Sequence, residues 1–141
     1  MKSSELRKRV AEAISAAQAK KAEAVTVLQM DQESPSFTDY FVIASGSNPR
    51  QIQAIADEVE ERLARVGLNA TSVEGYRQAE WVLLDYVDFV VHVFSEKARK
   101  YYDLERLWKS AARLEPSELK PARKRAAGPR SATRTRKRGK S

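Results

Sequence analysis

Residues 38–67, TDYFVIASGSNPRQIQAIADEVEERLARVG, place a segment that reads apolar on both faces directly before a helix that reads apolar on one. In the helix, Asn48 is a plausible N-cap and Pro49 takes the first helical position, where φ is preset and no N–H is lost. Ile52, Ile55, Val59, Leu63 and Val66 follow at spacings of 3, 4, 4 and 3, and Gly67 supplies a left-handed cap. The preceding TDYFVIAS, residues 38–45, has no polar face to turn to water, so it reads as a strand in the middle of a sheet with cover on both sides. A strand of that kind beside a one-sided helix points to layered α/β architecture.

The rest of the chain fits this frame. Leu6, Val10, Ala13, Ile14 and Ala17 line one face of a helix over about 4–21. Residues 24–30, AVTVLQM, are β-branched enough to form a strand, and Ser34-Pro35 marks a turn. LNATSVEG can hold a short strand that ends at the Glu74-Gly75 turn. WVLLD and FVVHVF read as two strands joined tightly through Tyr86-Val87. Ser95 then caps a helix expected over 96–114, with Tyr101, Leu104, Trp108 and Ala111 as its apolar stripe and Pro116 as its stop. The order predicts a mixed sheet of about five strands covered by helices, and no internal repeat is visible.

Charge divides the chain more sharply than hydropathy does. Residues 1–115 carry 16 basic and 18 acidic side chains, a net of −2, whereas 116–141 carry 10 and 1, a net of +9. With no aromatic residue and one leucine, that final segment cannot bury enough surface to offset its ordering entropy and is expected to be a disordered basic arm. Absence of cysteine removes thiol chemistry, Cys-based zinc sites and disulfides, and fits a cytoplasmic setting, with an organellar address left open. The opening MKSSELRKRV lacks the apolar core of a signal peptide, and no run approaches the length of a membrane span.

Candidate chemistry is sparse. Asp85 and Asp88 could hold Mg²⁺ or share acid and base duties, but on a strand residues three apart point to opposite faces, and aspartates flanking a hairpin turn are common. The Gly46-Ser47-Asn48 turn is similar to the phosphate-cradling turn of nucleotidyltransferases, yet no Asp-x-Asp follows it, so helix capping is its expected role. His92 is the only histidine, expected to be packed in its strand, and one imidazole cannot build a zinc site. No catalytic residue, metal or cofactor is therefore expected. Tyr101, Tyr102 and Trp108 read as core. By period two Trp81, Leu83 and Asp85 share one face and Val82 and Leu84 the other. Trp81 with Asp85 suits an interface anchor beside a charge; Trp81 as core and Asp85 as a turn residue is the equal alternative.

TDYFVIASGSN, AIAD, VEG, EWVLLDYVDFVVHVF and YYDLERLW, in this order and spacing, resemble the Iojap-like ribosomal silencing factors over about 5–112. The resemblance implies a nucleotidyltransferase-related mixed α/β domain without catalytic carboxylates, over 1–115, with 116–141 as a separate arm. It implies docking on the large ribosomal subunit through ribosomal protein number fourteen, blocking small-subunit joining when nutrients are scarce. It assigns the partner contact to Trp81, Val82, Leu84 and Asp85. Ribosomal RNA phosphates, through the arm, and a second copy off the ribosome are the other expected partners. Competing readings are a nucleotidyltransferase-like enzyme and an RNA-binding protein that acts through its arm. Where such proteins commonly have glycine in the hairpin turn, this chain has Val87, poorly suited to positive φ, so a turn of another type is expected there.

Overall fold

The computed structural model describes residues 3–30, 38–108 and 111–119; the turn expected at Ser34-Pro35 and nearly all of the basic arm lie outside them. Helix α1, Ser3–Ala19, buries Leu6, Val10, Ala13, Ile14 and Ala17, the stripe that its spacing predicts. Strands β1 (Glu23–Gln29) and β2 (Tyr40–Gly46) pair antiparallel, with β2 buried along nearly its whole length. Helix α2, Pro49–Arg65, opens on Asn48, whose side chain accepts from the Gln51 N–H at 2.8 Å, and closes beyond Val66 at Gly67, with φ +85. Strands β3 (Ser72–Glu74), β4 (Trp81–Asp85) and β5 (Phe89–Ser95) form a meander, and β5 runs parallel to β2.

Two helices lie against one face of this sheet. Ile52, Ile55, Val59 and Leu63 of α2, with Val10 and Ile14 of α1, pack on Val42, Val82, Leu84, Val91 and Val93 in one continuous core. On the other face a smaller cluster joins Leu28, Ile43 and Phe94 to Ala98 and Leu104. That second cover takes in Phe94 and reaches the start of β4, where Trp81 packs against the cluster.

The expected single helix over 96–114 is instead three pieces. Helix α3, Glu96–Tyr102, capped by the Ser95 hydroxyl, stops at Asp103, which takes the left-handed conformation (φ +46, ψ +58). A short turn α4, Leu104–Leu107, follows, and residues Ala112–Leu114 form a strand, β6, on the outer edge of β1. The sheet thus has six strands in the order β3-β4-β5-β2-β1-β6. Tertiary pairing explains the break. The Arg99 guanidinium donates to the Ala24 carbonyl at 2.6 Å, to the Ser45 hydroxyl at 2.9 Å and to Glu105 Oε2 at 3.1 Å. Residues six apart on a straight helix do not face each other, so the Arg99–Glu105 pair requires the chain to turn at Asp103. The left-handed residue is Asp, whose short polar side chain tolerates that region better than most. Beyond Glu115 the fold continues through a 3-10 turn, Pro116–Leu119, because Leu119 is 1% exposed in the α1 core and Arg7 holds the Glu118 carbonyl at 2.9 Å. The folded part therefore runs past the expected boundary at residue 115.

Candidate docking face

Strand β4 alternates between half-buried and buried side chains from Trp81 to Asp85. Trp81, Leu83 and Asp85 stand half-buried on the face away from α2, while Val82 and Leu84 point under the sheet and are fully buried against α2. The division of faces follows period two, and Val82 and Leu84, expected with Trp81 and Asp85 at the partner contact, are 0% exposed. Their side chains pack in the core beneath the strand.

Aromatic rings line the face that carries Trp81. Phe41 meets Trp108 edge-on at 5.7 Å and His92 edge-on at 4.6 Å. His92 stacks on Phe94 at 6.0 Å, and Trp81 lies 5.1 Å from Phe94. Cross-strand register puts Trp81 opposite Phe94, Leu83 opposite His92 and Asp85 opposite Val90. Tyr102 completes the row, 4.6 Å from Trp81, with Tyr101 edge-on to it at 5.0 Å. Trp108 packs as the sequence reading requires, but Tyr101 and Tyr102 do not belong to a core: they are 80% and 47% exposed. The break at Asp103 explains this, because it lets Leu104 turn into the small cluster while Tyr101 stays outside.

His92 is 3% exposed, and its Nδ1 accepts the Trp81 indole N–H at 3.0 Å. Burial lowers its pKa from 6.5 to about 3, so the ring is neutral and able to accept. Nothing in the spacing of the sequence signals this bond; only the register of β4 against β5 brings the two rings together.

Asp85 Oδ1 accepts the Val87 N–H at 2.8 Å, and the Asp88 N–H reaches the Tyr86 carbonyl at 2.8 Å. Val87 has φ +72. An i to i+2 bond around a residue at such a φ is a γ-turn of the strained kind, so the expectation of a turn without positive φ is corrected. The valine adopts the glycine-like conformation, steadied by the Asp85 carboxylate, and its side chain is 56% exposed. Asp85 Oδ1 is engaged by the turn, and among the described residues no group of three or more His, Asp or Glu side chains could hold a metal ion.

The start of α2 is arranged for capping. Gln51 Oε1 accepts from the Ser47 N–H at 2.7 Å and the Ser47 hydroxyl at 2.9 Å, while its amide donates to the Lys20 and Lys21 carbonyls at 3.1 and 3.0 Å. The side chain of Gln51 thus occupies the N–H that a phosphate would need. A shallow cleft elsewhere is lined by Glu23, Ser45, Glu96, Arg99 and Lys100, but Arg99 is committed to the bonds that shape α3 and β1.

Among the described residues no helix is long and apolar enough to cross a membrane. The profile of the family described as "Ribosomal silencing factor during starvation" matches residues 3–141 and so takes in the basic arm, which the motif resemblance leaves out. Ribosomal silencing factor RsfS of Halalkalibacterium halodurans is 44% identical over 103 residues, covering 73% of this chain and 87% of that protein. A crystal structure of a protein from Chromobacterium violaceum superposes with a TM-score of 0.69 at 33% identity, over 72% of this chain and 84% of the other. A more distant relative, 29% identical over 60% of this chain and 38% of its own length, is the mouse "Mitochondrial assembly of ribosomal large subunit protein 1". Sequence motifs, fold and these likenesses agree, and the chain belongs to the ribosomal silencing factor family.

Proposed function

We propose that this protein docks on the large ribosomal subunit, through its ribosomal protein number fourteen, and blocks the small subunit from joining, repressing translation when nutrients are scarce. The observation that carries the reading is the half-buried sheet face, where Trp81, Leu83 and Asp85 stand beside a row of aromatic rings that continues into exposed Tyr102 and Tyr101. Large exposed aromatic groups beside a carboxylate suit a protein partner with apolar and basic groups. Asp85 uses Oδ1 for its own turn, leaving Oδ2 for a basic partner group. Val82 and Leu84 contribute by holding β4 against α2. The family description and the mouse relative's name support a ribosomal, large-subunit setting. The compartment that goes with the reading is the cytoplasm. Off the ribosome the same apolar face is where a second copy would pair.

The protein acts by binding rather than catalysis. Gln51 fills the helix start that nucleotidyl transfer would need for phosphate, and Asp85 is engaged in a turn. The basic arm adds sequence-independent contacts with ribosomal RNA phosphates. Four such contacts would steepen the fall of log affinity with log salt by about 3, so truncation after Leu119 should leave docking specific and less salt-dependent. Equal slopes for full-length and truncated protein would remove the arm from the interface.

Co-sedimentation with separated subunits tests the site. A specific footprint is about 800 Å² per side, and losing one anchor of ≥ 2 kcal/mol weakens binding by roughly thirtyfold. Trp81→Ala and Asp85→Ala, each folded, should leave the large-subunit pellet. Binding equal to wild type in both would refute the assignment.

A further inference from the structure

The His92 ring is buried under the docking face, and its two nitrogens are unequal. Nδ1 accepts the Trp81 indole N–H at 3.0 Å; Nε2 is buried with no hydrogen-bond partner among the described residues. Indole nitrogen can only donate, so Nδ1 must carry the lone pair and Nε2 the ring proton. An unmatched buried N–H is costly, and a phenyl ring would fill the same stack between Phe41 and Phe94 without that cost. What histidine provides, and phenylalanine would not, is an acceptor for Trp81.

We propose that His92 is the positioning residue of the docking face: its Nδ1 draws the Trp81 N–H inward, so that the indole presents only apolar edge and π face to the partner. The inference rests on the proposed docking through Trp81 and adds the chemistry it selects. The partner group seated on Trp81 is aliphatic or cationic, a Lys or Arg over the ring, and not a hydrogen-bond acceptor seeking the indole N–H. Tyr102, 4.6 Å away, also packs against the indole.

The wild-type protein gives the first readout. Imidazole ¹⁵N shifts should report the Nε2–H tautomer at neutral pH; the Nδ1–H tautomer would overturn the inference. His92→Phe keeps a ring and removes the acceptor, whereas His92→Asn restores an oxygen near the Nδ1 position. In His92→Phe the Trp81 indole N–H resonance, assigned by its loss in Trp81→Phe, should move upfield, and large-subunit affinity should fall about tenfold, the size of one neutral hydrogen bond. His92→Asn should recover most of that affinity. In a Trp81→Phe background, which has no N–H to hold, His92→Phe should weaken binding no further. An unmoved indole resonance, or the same loss in both backgrounds, overturns the positioning role. Full binding by Trp81→Ala would instead remove the docking face itself, and this inference with it; loss with Trp81→Ala but none with His92→Phe overturns this inference alone.

Discussion

Gly75 controls the entry to the docking strand, and replacing it with alanine separates two energies that other glycines mix. Its φ is +79, and a Cβ built there would lie 2.1 Å from the Trp81 carbonyl oxygen and 3.2 Å from the Trp81 carbonyl carbon. Both are backbone atoms at the start of β4, so no flexible side-chain end can yield. Gly67 supplies the control: its φ is +85, and a Cβ there meets nothing within 4 Å. Gly67→Ala therefore carries only the left-handed backbone term, about 1–2 kcal/mol, partly offset by about 0.4–1 kcal/mol from a stiffer unfolded chain. Gly75→Ala adds the displacement of packed backbone, which overpacking results put at about 1–3 kcal/mol. Equilibrium urea unfolding should show a net loss of about 1 kcal/mol for Gly67→Ala and about 2–4 kcal/mol for Gly75→Ala, with unchanged m values. Gly75→Ala should also disturb the Trp81 fluorescence, because the yielding atoms belong to that residue. Equal costs for the two substitutions would refute the close approach of Gly75 to β4.

Three further outcomes follow from the same geometry. Val87→Gly should stabilise by about 0.5–1 kcal/mol in urea, since relief of about 1–2 kcal/mol of backbone strain outweighs the extra chain entropy of glycine, and the exposed valine gives up little burial. Because the His92 pKa falls from 6.5 unfolded to about 3 folded, its contribution is complete above pH ~6.5 and is lost as pH drops towards 3. Stability measured between pH 6.5 and 5 should decline by about 1 kcal/mol per unit, and His92→Phe should flatten that limb. Arg99→Lys, which keeps the charge but loses the fork shared by Ala24, Ser45 and Glu105, should destabilise by about 1–3 kcal/mol in urea, with the larger loss of amide-exchange protection in α3 and β6.

What the sequence made legible is what local chemistry determines. The Asn48 cap, the Pro49 start, the α2 stripe from Ile52 to Leu63 and the Gly67 stop are all short-range signals found where they read, whereas Val66, expected to end the stripe, is the C-cap and 40% exposed. Period two likewise separates Trp81, Leu83 and Asp85 from Val82 and Leu84, but it does not by itself say which of the two faces is core. The helix expected over 96–114 was wrong because its breaking contacts are long-range. Arg99 binds Ala24 and Ser45, and 112–114 pairs with the open edge of β1, a preference that no window around those residues contains. Val87 at positive φ is a similar case: its own propensity argues against the turn, and the Asp85 side chain with the strand register overrides it. The Trp81–His92 bond spans 11 positions and exists only through the β4–β5 register.

The most direct test of the central claim is subunit joining itself. Separated large and small subunits, mixed at a Mg²⁺ concentration that supports association, are followed by light scattering with wild-type protein or Trp81→Ala prebound to the large subunit. Wild type should suppress the rise in scattering in proportion to large-subunit occupancy, and Trp81→Ala, folded and at the same concentration, should leave joining close to that of untreated subunits. Unimpeded joining with wild type bound to the large subunit, or suppression undiminished by Trp81→Ala, would contradict the account.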